Sequence, residues 1–265
     1  MGAGRPPVDL HALERDLRAD GYRLIAGMDE AGRGPLAGPV CAAAVVFDGD
    51  TVIDGINDSK QLTAAKREQL CEQILERAVA TGVGLASAEE IDALNILNAT
   101  RLACRRALRA LAVLPDMLLL DALELDGVTI AQRSLIKGDA RCFSIAAASI
   151  LAKVTRDRLM QRYDAEYPLY GFARHKGYPT RAHYDSIMRH GISTIHRKTF
   201  FDGGLFATST VMSLSFERLR AAFLSHNAQD IAGAAAQLKS LRGFLPECEW
   251  RELQAMAVTN SIDNP

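Results

Sequence analysis

The sequence predicts an α/β domain built around a mixed β-sheet. Two apolar runs typical of buried strands come early, and later apolar runs alternate with segments of helical periodicity, which is the order expected for this class. The chain has 265 residues, of which 48% are hydrophobic, so it is long enough to bury a sizeable core. Composition changes after Phe201, and we expect three parts bounded as 1–20, 21–202 and 203–265.

The N-terminal part of the pattern predicts one helix and two strands. Residues 8–19 carry leucines at helical spacing among charged residues, which indicates a short amphipathic helix. The apolar stretches 22–28 and 39–47 are typical of buried strands, and a glycine-rich turn joins them. Residues 51–56 either continue the second strand or pair with these two.

The middle of the chain is predicted to be mainly helical. Residues 59–81 show helical periodicity, with Thr63 as the expected N-cap. A strand is expected at 83–86. Two helices follow, at 88–94 and from 95 to 114, where a proline ends the pattern.

Two more strands are expected before a long helix. Residues 117–120 are an unbroken apolar run, as expected for a strand covered on both faces. A short strand is expected at 134–137, and residues 144–167 form a helix rich in small residues. The C-terminal region shows helical patterns around 215–223, 231–241 and 247–257.

Carboxylates stand at three places where an apolar element ends. Asp29 and Glu30 follow the first strand. Asp121 ends a later apolar run, and Asp139 precedes the long helix. Strand ends of an open α/β sheet meet at one edge, and carboxylates converging there must be protonated or share a cation, for which oxygen ligands favour Mg2+ or Mn2+. The alternatives are a helix N-cap for Asp139 and a solvated loop pair for the other two.

A glycine-rich turn, Gly32-Arg33-Gly34, follows the first carboxylate pair. Glycines let backbone N–H groups approach a ligand closely, and the arginine adds positive charge to an otherwise negative site. A phosphodiester bridged by a metal ion would fit both features. The alternative is an ordinary tight turn, because this composition alone is weak support for a ligand.

Positive charge is concentrated in one stretch. The net charge is -1, so any surface for nucleic acid must be local. Residues 153–198 contain ten Lys and Arg against four Asp and Glu, together with four of the six histidines and interleaved aromatic residues. This composition predicts a local basic surface suited to nucleic acid.

The cysteines indicate a reducing compartment. They are odd in number, scattered and never spaced as in a zinc motif: Cys41, Cys71, Cys104, Cys142 and Cys248. We therefore expect a cytoplasmic protein. The N-terminal residues lack the apolar core of a signal peptide, and no run approaches the roughly 20 apolar residues that cross a bilayer, so no membrane association is expected.

Seven ordered segments carry a specific resemblance. They are GMDEAGRGPLAGPV (27–40), NDSKQL (57–62), DALNILNAT (92–100), KGDA (137–140), AAASILAKVTRD (146–157), YGFARHKGYPT (170–180) and HRKTF (196–200). Together they resemble the type 2 ribonuclease H family, ribonuclease HII, in the family's own order. The resemblance covers most of the chain up to Phe200 and leaves the C-terminal region uncovered.

The resemblance implies a ribonuclease-H-like fold for residues 21–202, with a mixed five-stranded sheet flanked by helices. The remaining residues, 203–265, would be a helical or partly disordered extension. The implied activity is an endonuclease that cuts the RNA strand of RNA/DNA hybrids and nicks duplex DNA 5′ of an embedded ribonucleotide, leaving 3′-hydroxyl and 5′-phosphate ends. The implied cofactor is Mn2+ or Mg2+ in a two-metal-ion reaction. The catalytic, metal-binding carboxylates would be Asp29, Glu30, Asp121 and Asp139.

Ribose recognition and phosphate contacts also follow from the resemblance. The 2′-hydroxyl distinguishes RNA from DNA at one sugar, and the residues implied to surround it are Gly32, Arg33, Gly34 and Tyr178. Lys60 and Lys176 would contact phosphate by charge and position, although isolated lysines are usually only solvated. We expect the enzyme to be a monomer that binds nucleic acid.

Two departures from the family pattern stand out. Ala122 follows Asp121 where the family commonly has glycine, so we expect the turn to differ slightly, because a residue with a Cβ cannot take positive φ without cost. Ala140 follows Asp139 where serine is frequent, which removes a hydrogen bond and leaves the carboxylate untouched.

Two alternatives stay open from the sequence. The first is a duplex-binding module without activity, which the basic stretch favours. The four carboxylates argue against it, because a protein that only binds nucleic acid would bind phosphate better without their negative charge. The second gives the C-terminal extension a partner-docking helix, whose residues are Gln237, Leu238, Leu241 and Phe244. Apolar residues at helical spacing more often pack within their own chain.

Overall fold

The computed structural model of the protein describes most of the chain. The described residues are 8–56, 59–201, 216–217, 219–225, 227–240 and 247–262. The chain divides into two compact units, the first formed by Met1–Gly34 and Pro39–Leu159 and the second by Pro35–Gly38 and Met160–Pro265. The predicted boundary at residue 203 falls outside the described residues and stays a prediction.

A five-stranded sheet forms the centre of the first unit. Its strands are β1 (Ile25–Ala31), β2 (Val40–Val46), β3 (Ala80–Ala86), β4 (Met117–Asp121) and β5 (Ala131–Leu135). They lie side by side in the order β3-β2-β1-β4-β5. Strand β1 pairs antiparallel with β2 and parallel with β4, while β2–β3 is antiparallel and β4–β5 is parallel. The prediction of a mixed sheet is therefore confirmed.

Strand β1 begins and ends later than the apolar pattern predicts. The backbone N–H groups of Arg23 and Leu24 donate to the Asp116 carboxylate, at 2.9 and 3.0 Å, instead of joining the sheet. The strand then continues to Ala31, so Asp29 and Glu30 lie inside it and not beyond its end. Hydrogen bonding within the sheet therefore fixes the backbone positions of Asp29 and Glu30.

The last strand is also displaced from its predicted position. Strand β5 covers Ala131–Leu135, whereas the pattern placed it at 134–137. Lys137 takes a left-handed backbone conformation, with φ of 56°, and this ends the strand. Residues 51–56 form no strand, although the sequence favoured one there.

Helices cover the sheet. They are α1 (Ala12–Ala19), α2 (Ala64–Arg77), α3 (Ala88–Leu94), α4 (Ile96–Arg109) and α5 (Phe143–Glu166). Two of them are shorter than predicted: the helix expected at 59–81 ends at Arg77 because residues 80 and 81 pair in β3, and the one expected to reach 114 ends at Arg109. The hydroxyl of Thr63 accepts a hydrogen bond from the Lys66 N–H at 3.2 Å, which confirms the predicted N-cap. Ser87 and Glu90 form a capping box at the start of α3.

The start of α5 is held against the centre of the sheet. The buried Glu14 carboxylate accepts hydrogen bonds from the Ser144 N–H at 2.9 Å and from the Cys142 thiol at 3.1 Å. Glu14 therefore caps the start of α5, the role that was the alternative for Asp139 in the sequence. Gly27 of β1 allows the close approach, because a Cβ there would lie 2.2 Å from the Ser144 carbonyl carbon.

Apolar side chains fill both faces of this sheet. One cluster joins β2, α2 and α5 through residues such as Val45, Ile74 and Leu151. Another lies around Ile25, Leu119 and Ile145. Four cysteines are free buried thiols: Cys41, Cys71, Cys104 and Cys142. No helix among the described residues has the length and hydropathy of a membrane span.

The second unit is helical in its described parts. It contains the short helices α6 (Phe172–His175) and α7 (Arg181–His190), and later helices at Ala228–Ser240 and Glu247–Ile262. Aromatic and apolar residues such as Tyr170, Phe172 and Ile187 form one core.

The helical prediction for the C-terminal region is confirmed where it is described. Leu238 is buried in a small cluster with Phe223 and Leu253, so this member of the proposed docking helix packs within the chain. Leu241 and Phe244 lie outside the described residues, as does the Gln237 side chain.

Candidate active site

Two of the predicted carboxylates are aligned by the parallel pairing of β1 and β4. The last paired positions of this ladder are Met28 and Leu120. Asp29 and Asp121 come next on the two strands, and because side chains alternate along both, they point to the same face of the sheet. Strand register alone therefore brings these carboxylates together.

Asp139 reaches the same place from a short 3₁₀ helix, Gly138–Ala140, that follows β5. The Gly138 N–H donates to Oδ1 of Asp121 at 2.7 Å, which ties this turn to the end of β4. One ligand oxygen from each of Asp29, Asp121 and Asp139 lies within 4.8 Å of the others. The predicted convergence of these three side chains is present.

The Asp29 carboxylate is oriented by hydrogen bonds that the sequence did not reveal. The Glu30 N–H donates to Asp29 Oδ1 at 2.7 Å. The Ser149 hydroxyl of α5 also hydrogen-bonds to Asp29. Ser59 lies next to this hydroxyl, with its Oγ 2.7 Å from the Ser149 Oγ. Two buried serines thus steady one carboxylate.

Burial makes this site costly for negative charge. Desolvation raises the pKa of Asp29 well above its usual value, and the nearby Glu30 carboxylate raises it further. Desolvation also raises the pKa of Asp121, against the lowering effect of the Gly138 N–H, and Asp139 adds to the increase. Asp29 and Asp121 therefore ionise less readily than free carboxylic acids, and a bound cation would favour their ionised forms.

The donor set suits a hard divalent cation. It consists only of carboxylate oxygens, which are the ligands that Mg2+ and Mn2+ prefer. Oxygens on opposite sides of one such ion lie about 4–5 Å apart, which matches the observed spread. Among the described residues, one basic side chain forms an ion pair with these three carboxylates. It is Lys60, whose Nζ is 3.3 Å from Asp139 Oδ2.

Glu30 stands apart from the three converging carboxylates. Its Oε1 is 3.1 Å from Nη1 of Arg33, within the turn that follows β1. Burial raises the pKa of Glu30, and the charge of Arg33 opposes the increase. The predicted metal role of Glu30 stays a prediction, and its partner in the structure is the arginine of the glycine-rich turn.

The glycine-rich turn is shaped by a buried arginine that the sequence did not single out. Gly32 has φ of 93°, and a Cβ there would lie 2.0 Å from Nε of Arg156. Arg156 is fully buried and donates from Nε to the Pro39 carbonyl at 2.9 Å. Glycine is therefore required at position 32, while Arg33 and Gly34 are exposed, where a ligand can reach them.

Tyr178 and Lys176 belong to the second unit, on the turn after α6. Tyr178 is 38% exposed. Lys176 has φ of 54° and donates from Nζ to the Ala173 carbonyl at 2.6 Å. Their predicted contacts with ribose and phosphate stay predictions.

The basic stretch is less available than its composition suggested. Arg156 and Arg197 are fully buried, and Arg197 donates from Nε to the Gly38 carbonyl at 2.9 Å. Lys153 pairs with Asp157 at 2.7 Å. Three of the four histidines in the stretch are also buried: His175, His183 and His196. The charge count therefore overstated the basic surface, because it could not distinguish interior arginines from exposed ones.

Ala122 contradicts the expectation that its turn avoids positive φ. It has φ of 47°, the left-handed region that glycine would take without cost. Its N–H donates to the Leu135 carbonyl at 2.9 Å, so pairing with β5 holds it there. The turn therefore carries the strain of a left-handed Cβ beside Asp121.

Comparison with protein families identifies a match that covers most of the chain. The family model described as Ribonuclease HII matches residues 26–202. The ribonuclease HII of Clostridioides difficile is 56% identical over 191 residues, which are 72% of this chain and 75% of that protein. That of Enterococcus faecalis is 57% identical over 192 residues, again 72% and 75%.

Solved structures share the fold. The ribonuclease H2 of Pyrococcus horikoshii matches with a TM-score of 0.59 and 28% identity, over 72% of this chain and 98% of that one. A ribonuclease HII of Archaeoglobus fulgidus, solved in complex with PCNA, matches with a TM-score of 0.57 and 25% identity, over 68% and 95%. The family-model match ends at residue 202, so residues 203–265 lie beyond it.

We predict that Asp29→Asn stabilises the metal-free protein at neutral pH. The raised pKa means that the folded state holds a proton that the unfolded state releases above about pH 3.9. Stability therefore falls by about 1.4 kcal/mol for each pH unit between that value and the pKa of the folded state. Asparagine keeps the oxygen that accepts the Glu30 N–H. Chemical denaturation in chelator should show the gain at pH 7.5 and its disappearance below pH 4.

The matched control is Asp54→Asn, which changes an exposed carboxylate of the same unit. It should alter the free energy of unfolding by less than about 0.5 kcal/mol. A parent protein as stable as Asp29→Asn at pH 7.5 without metal would contradict the charge penalty at this site.

We predict that Ala122→Gly raises stability by about 1 kcal/mol, because it removes a left-handed Cβ. Ala110→Gly is the control, since Ala110 is exposed with an ordinary φ of -82°, and glycine there should lower stability by a similar amount. Thermal unfolding of the two variants should therefore shift in opposite directions. Equal destabilisation would mean that Ala122 carries no backbone strain.

Proposed function

The chain belongs to the ribonuclease HII family, and we propose that, besides cutting the RNA strand of RNA/DNA hybrids, it nicks duplex DNA 5′ of a single embedded ribonucleotide. Family membership makes it a metal-dependent ribonuclease H. It also favours hydrolysis over the alternative of a binding module without activity. The proposed products are a 3′-hydroxyl and a 5′-phosphate.

One observation carries the proposal: three carboxylates, two of them buried and one half-buried, converge beside the parallel pair of strands β1 and β4. Asp29, Asp121 and Asp139 would hold divalent metal, with Glu30 beside them. When bound, two such ions would supply an activated water for attack and charge stabilisation for the leaving 3′ oxygen. Carboxylates whose pKa values are raised would give up protons as the ions bind.

The chain's own residues would align the strand to be cut. The Lys60 side chain is 77% exposed while its Nζ lies beside Asp139, so it is placed to meet a phosphate next to the reacting centre. The exposed backbone of Gly34 and the guanidinium of Arg33 would face the sugar. A contact of Tyr178 with ribose is proposed from the family resemblance. Lys176 would contact a neighbouring phosphate.

The identity of the metal and the wider setting are also proposals. Both Mg2+ and Mn2+ fit an all-carboxylate set, and we propose that either supports cleavage. We propose a monomer in the cytoplasm. A protein partner for the C-terminal extension stays a prediction, although the related A. fulgidus protein was solved in complex with PCNA.

One assay tests the substrate proposal. An RNA/DNA hybrid, a DNA duplex with one ribonucleotide and an all-DNA duplex are each offered with Mg2+ or Mn2+, and the cut sites are mapped. We expect cleavage of the first two, with the nick 5′ of the ribonucleotide, and none of the third. Cutting of the all-DNA duplex would contradict the ribose check.

Substitution separates chemistry from binding. Asp121→Asn should lower kcat by more than about a hundredfold and leave hybrid binding within about twofold, because the carboxylate acts through metal. Asp54→Asn is the exposed control and should keep parental kcat. Parental kcat in Asp121→Asn would overturn the proposed role of the carboxylate cluster.

A further inference from the structure

Three buried histidines form a connected group in the second unit. His175, His183 and His196 have exposed fractions of 8%, 0% and 1%. Burial lowers the pKa of His183 to about 4 and that of His196 to about 3, and it also lowers the pKa of His175. All three rings are therefore neutral at pH 7, with one nitrogen that donates and one that accepts.

The hydrogen-bond partners fix which nitrogen of His196 carries the proton. Its Nδ1 accepts from the Ser193 N–H at 2.8 Å, and the Ser193 hydroxyl lies at the same distance. The proton must then be on Nε2 of His196, which lies 3.1 Å from Nε2 of His183. His196 donates and His183 accepts.

The chain of donors ends on the backbone of Tyr178. Since Nε2 of His183 accepts, its Nδ1 carries the proton and donates to the Tyr178 carbonyl at 3.0 Å. The relay therefore runs from Ser193 through His196 and His183 to Tyr178. Each step has one possible direction, so the assignment follows from the contacts alone.

His175 holds the neighbouring residue. Its Nε2 faces the Tyr170 carbonyl at 2.7 Å and must donate, which leaves Nδ1 to accept from the Gly177 N–H at 3.2 Å. The His175 and His183 rings stack at a centroid distance of 4.3 Å. Two stacked imidazoles thus fix consecutive residues, Gly177 and Tyr178, from the interior.

Gly177 is also hydrogen-bonded to the segment that follows the glycine-rich turn. The Leu36 N–H donates to the Gly177 carbonyl at 2.8 Å. Gly177 has φ of 80°, and a Cβ there would lie 2.6 Å from the Ala37 carbonyl oxygen. Arg197 directly follows His196 in sequence, and its N–H donates to the Leu36 carbonyl at 2.8 Å. The Tyr178 backbone is therefore held on several sides while its side chain stays exposed.

We propose that His183 is a positioning residue for Tyr178, and that the hydrogen bond it donates to the Tyr178 carbonyl, whose direction the contact with His196 fixes, sets the efficiency of cutting at a single ribonucleotide. This inference rests on the proposed contact of Tyr178 with ribose. The relay acts through the Tyr178 carbonyl and touches no substrate. A role in core packing alone would make the effect depend on side-chain volume and not on which atom donates.

Two variants of His183 separate hydrogen bonding from packing. Asparagine places its amide nitrogen near the position of Nδ1, so His183→Asn keeps a donor for the Tyr178 carbonyl. Glutamine places its amide near the position of Nε2, so His183→Gln loses that donor. On a duplex with one ribonucleotide, we expect His183→Gln to lower kcat/KM at least tenfold and His183→Asn to stay within about threefold of the parent. Equal losses would overturn the relay.

Coupling to Tyr178 distinguishes the inference from the function on which it rests. Tyr178→Ala alone should lower kcat/KM, and His183→Gln added to it should have no further effect. A further tenfold loss in the double variant would overturn the relay and leave the role of Tyr178 intact. Parental activity in Tyr178→Ala would instead overturn the proposed ribose contact and the functional consequence of the relay with it.

A measurement on the unsubstituted protein covers the case in which the variants fail to fold. Nitrogen-15 NMR of the imidazole rings at pH 7 reports which nitrogen carries each proton. We expect protonation at Nδ1 for His183 and at Nε2 for His196 and His175. The opposite tautomer for His183 or His196, or a charged ring, would overturn the relay.

Discussion

The cost of removing clustered carboxylates from water is the constraint on which the rest of the site depends. Asp29, Asp121 and Asp139 offer oxygens within 4.8 Å of one another, in surroundings that raise the pKa of Asp29 and Asp121. Such an arrangement persists only if the backbone holds it, because each charge alone would favour water. Parallel pairing of β1 with β4 supplies that hold, since the two strands carry adjacent acids on one face. A divalent cation would offset this desolvation cost and allow the carboxylates to ionise, and the proposed chemistry depends on that change.

The surrounding elements bring this strand edge together and keep it from relaxing. Gly27 lets α5 approach β1, and that approach sets Ser149 beside Asp29. The Gly138 N–H fastens the turn of Asp139 to Asp121. Glu14, in α1, accepts a hydrogen bond from the Ser144 N–H and so holds the start of α5. In the second unit, neutral histidines do a comparable task for the Tyr178 backbone, through directed hydrogen bonds and without charge. Precision at both places comes from interior polar contacts, which are costly to break where water cannot replace them.

Local patterns in the sequence predicted the sheet, most helices and the convergence of three carboxylates, because buried strands and amphipathic helices leave periodic traces. The limits of β1 could not be predicted, since Asp116, distant in sequence, takes the N–H groups that would have extended it at its start. The burial of Arg156 and Arg197 left no trace either, because a charged residue in sequence looks the same inside and outside. Ala122 shows the opposite case: propensity argued against its conformation, and pairing with β5 imposed it. The hydrogen bonds between the buried serines and between the buried histidines join residues that are apart in sequence. The sequence shows which residues these are but does not predict their contacts.

Anomalous diffraction from crystals of the protein soaked in Mn2+ would locate a bound ion without relying on activity. We expect a peak bounded by the carboxylates of Asp29, Asp121 and Asp139, and loss of that peak in crystals of Asp121→Asn grown and soaked alike. Manganese bound elsewhere with this edge of the sheet empty, or an undiminished peak in Asp121→Asn, would contradict this expectation.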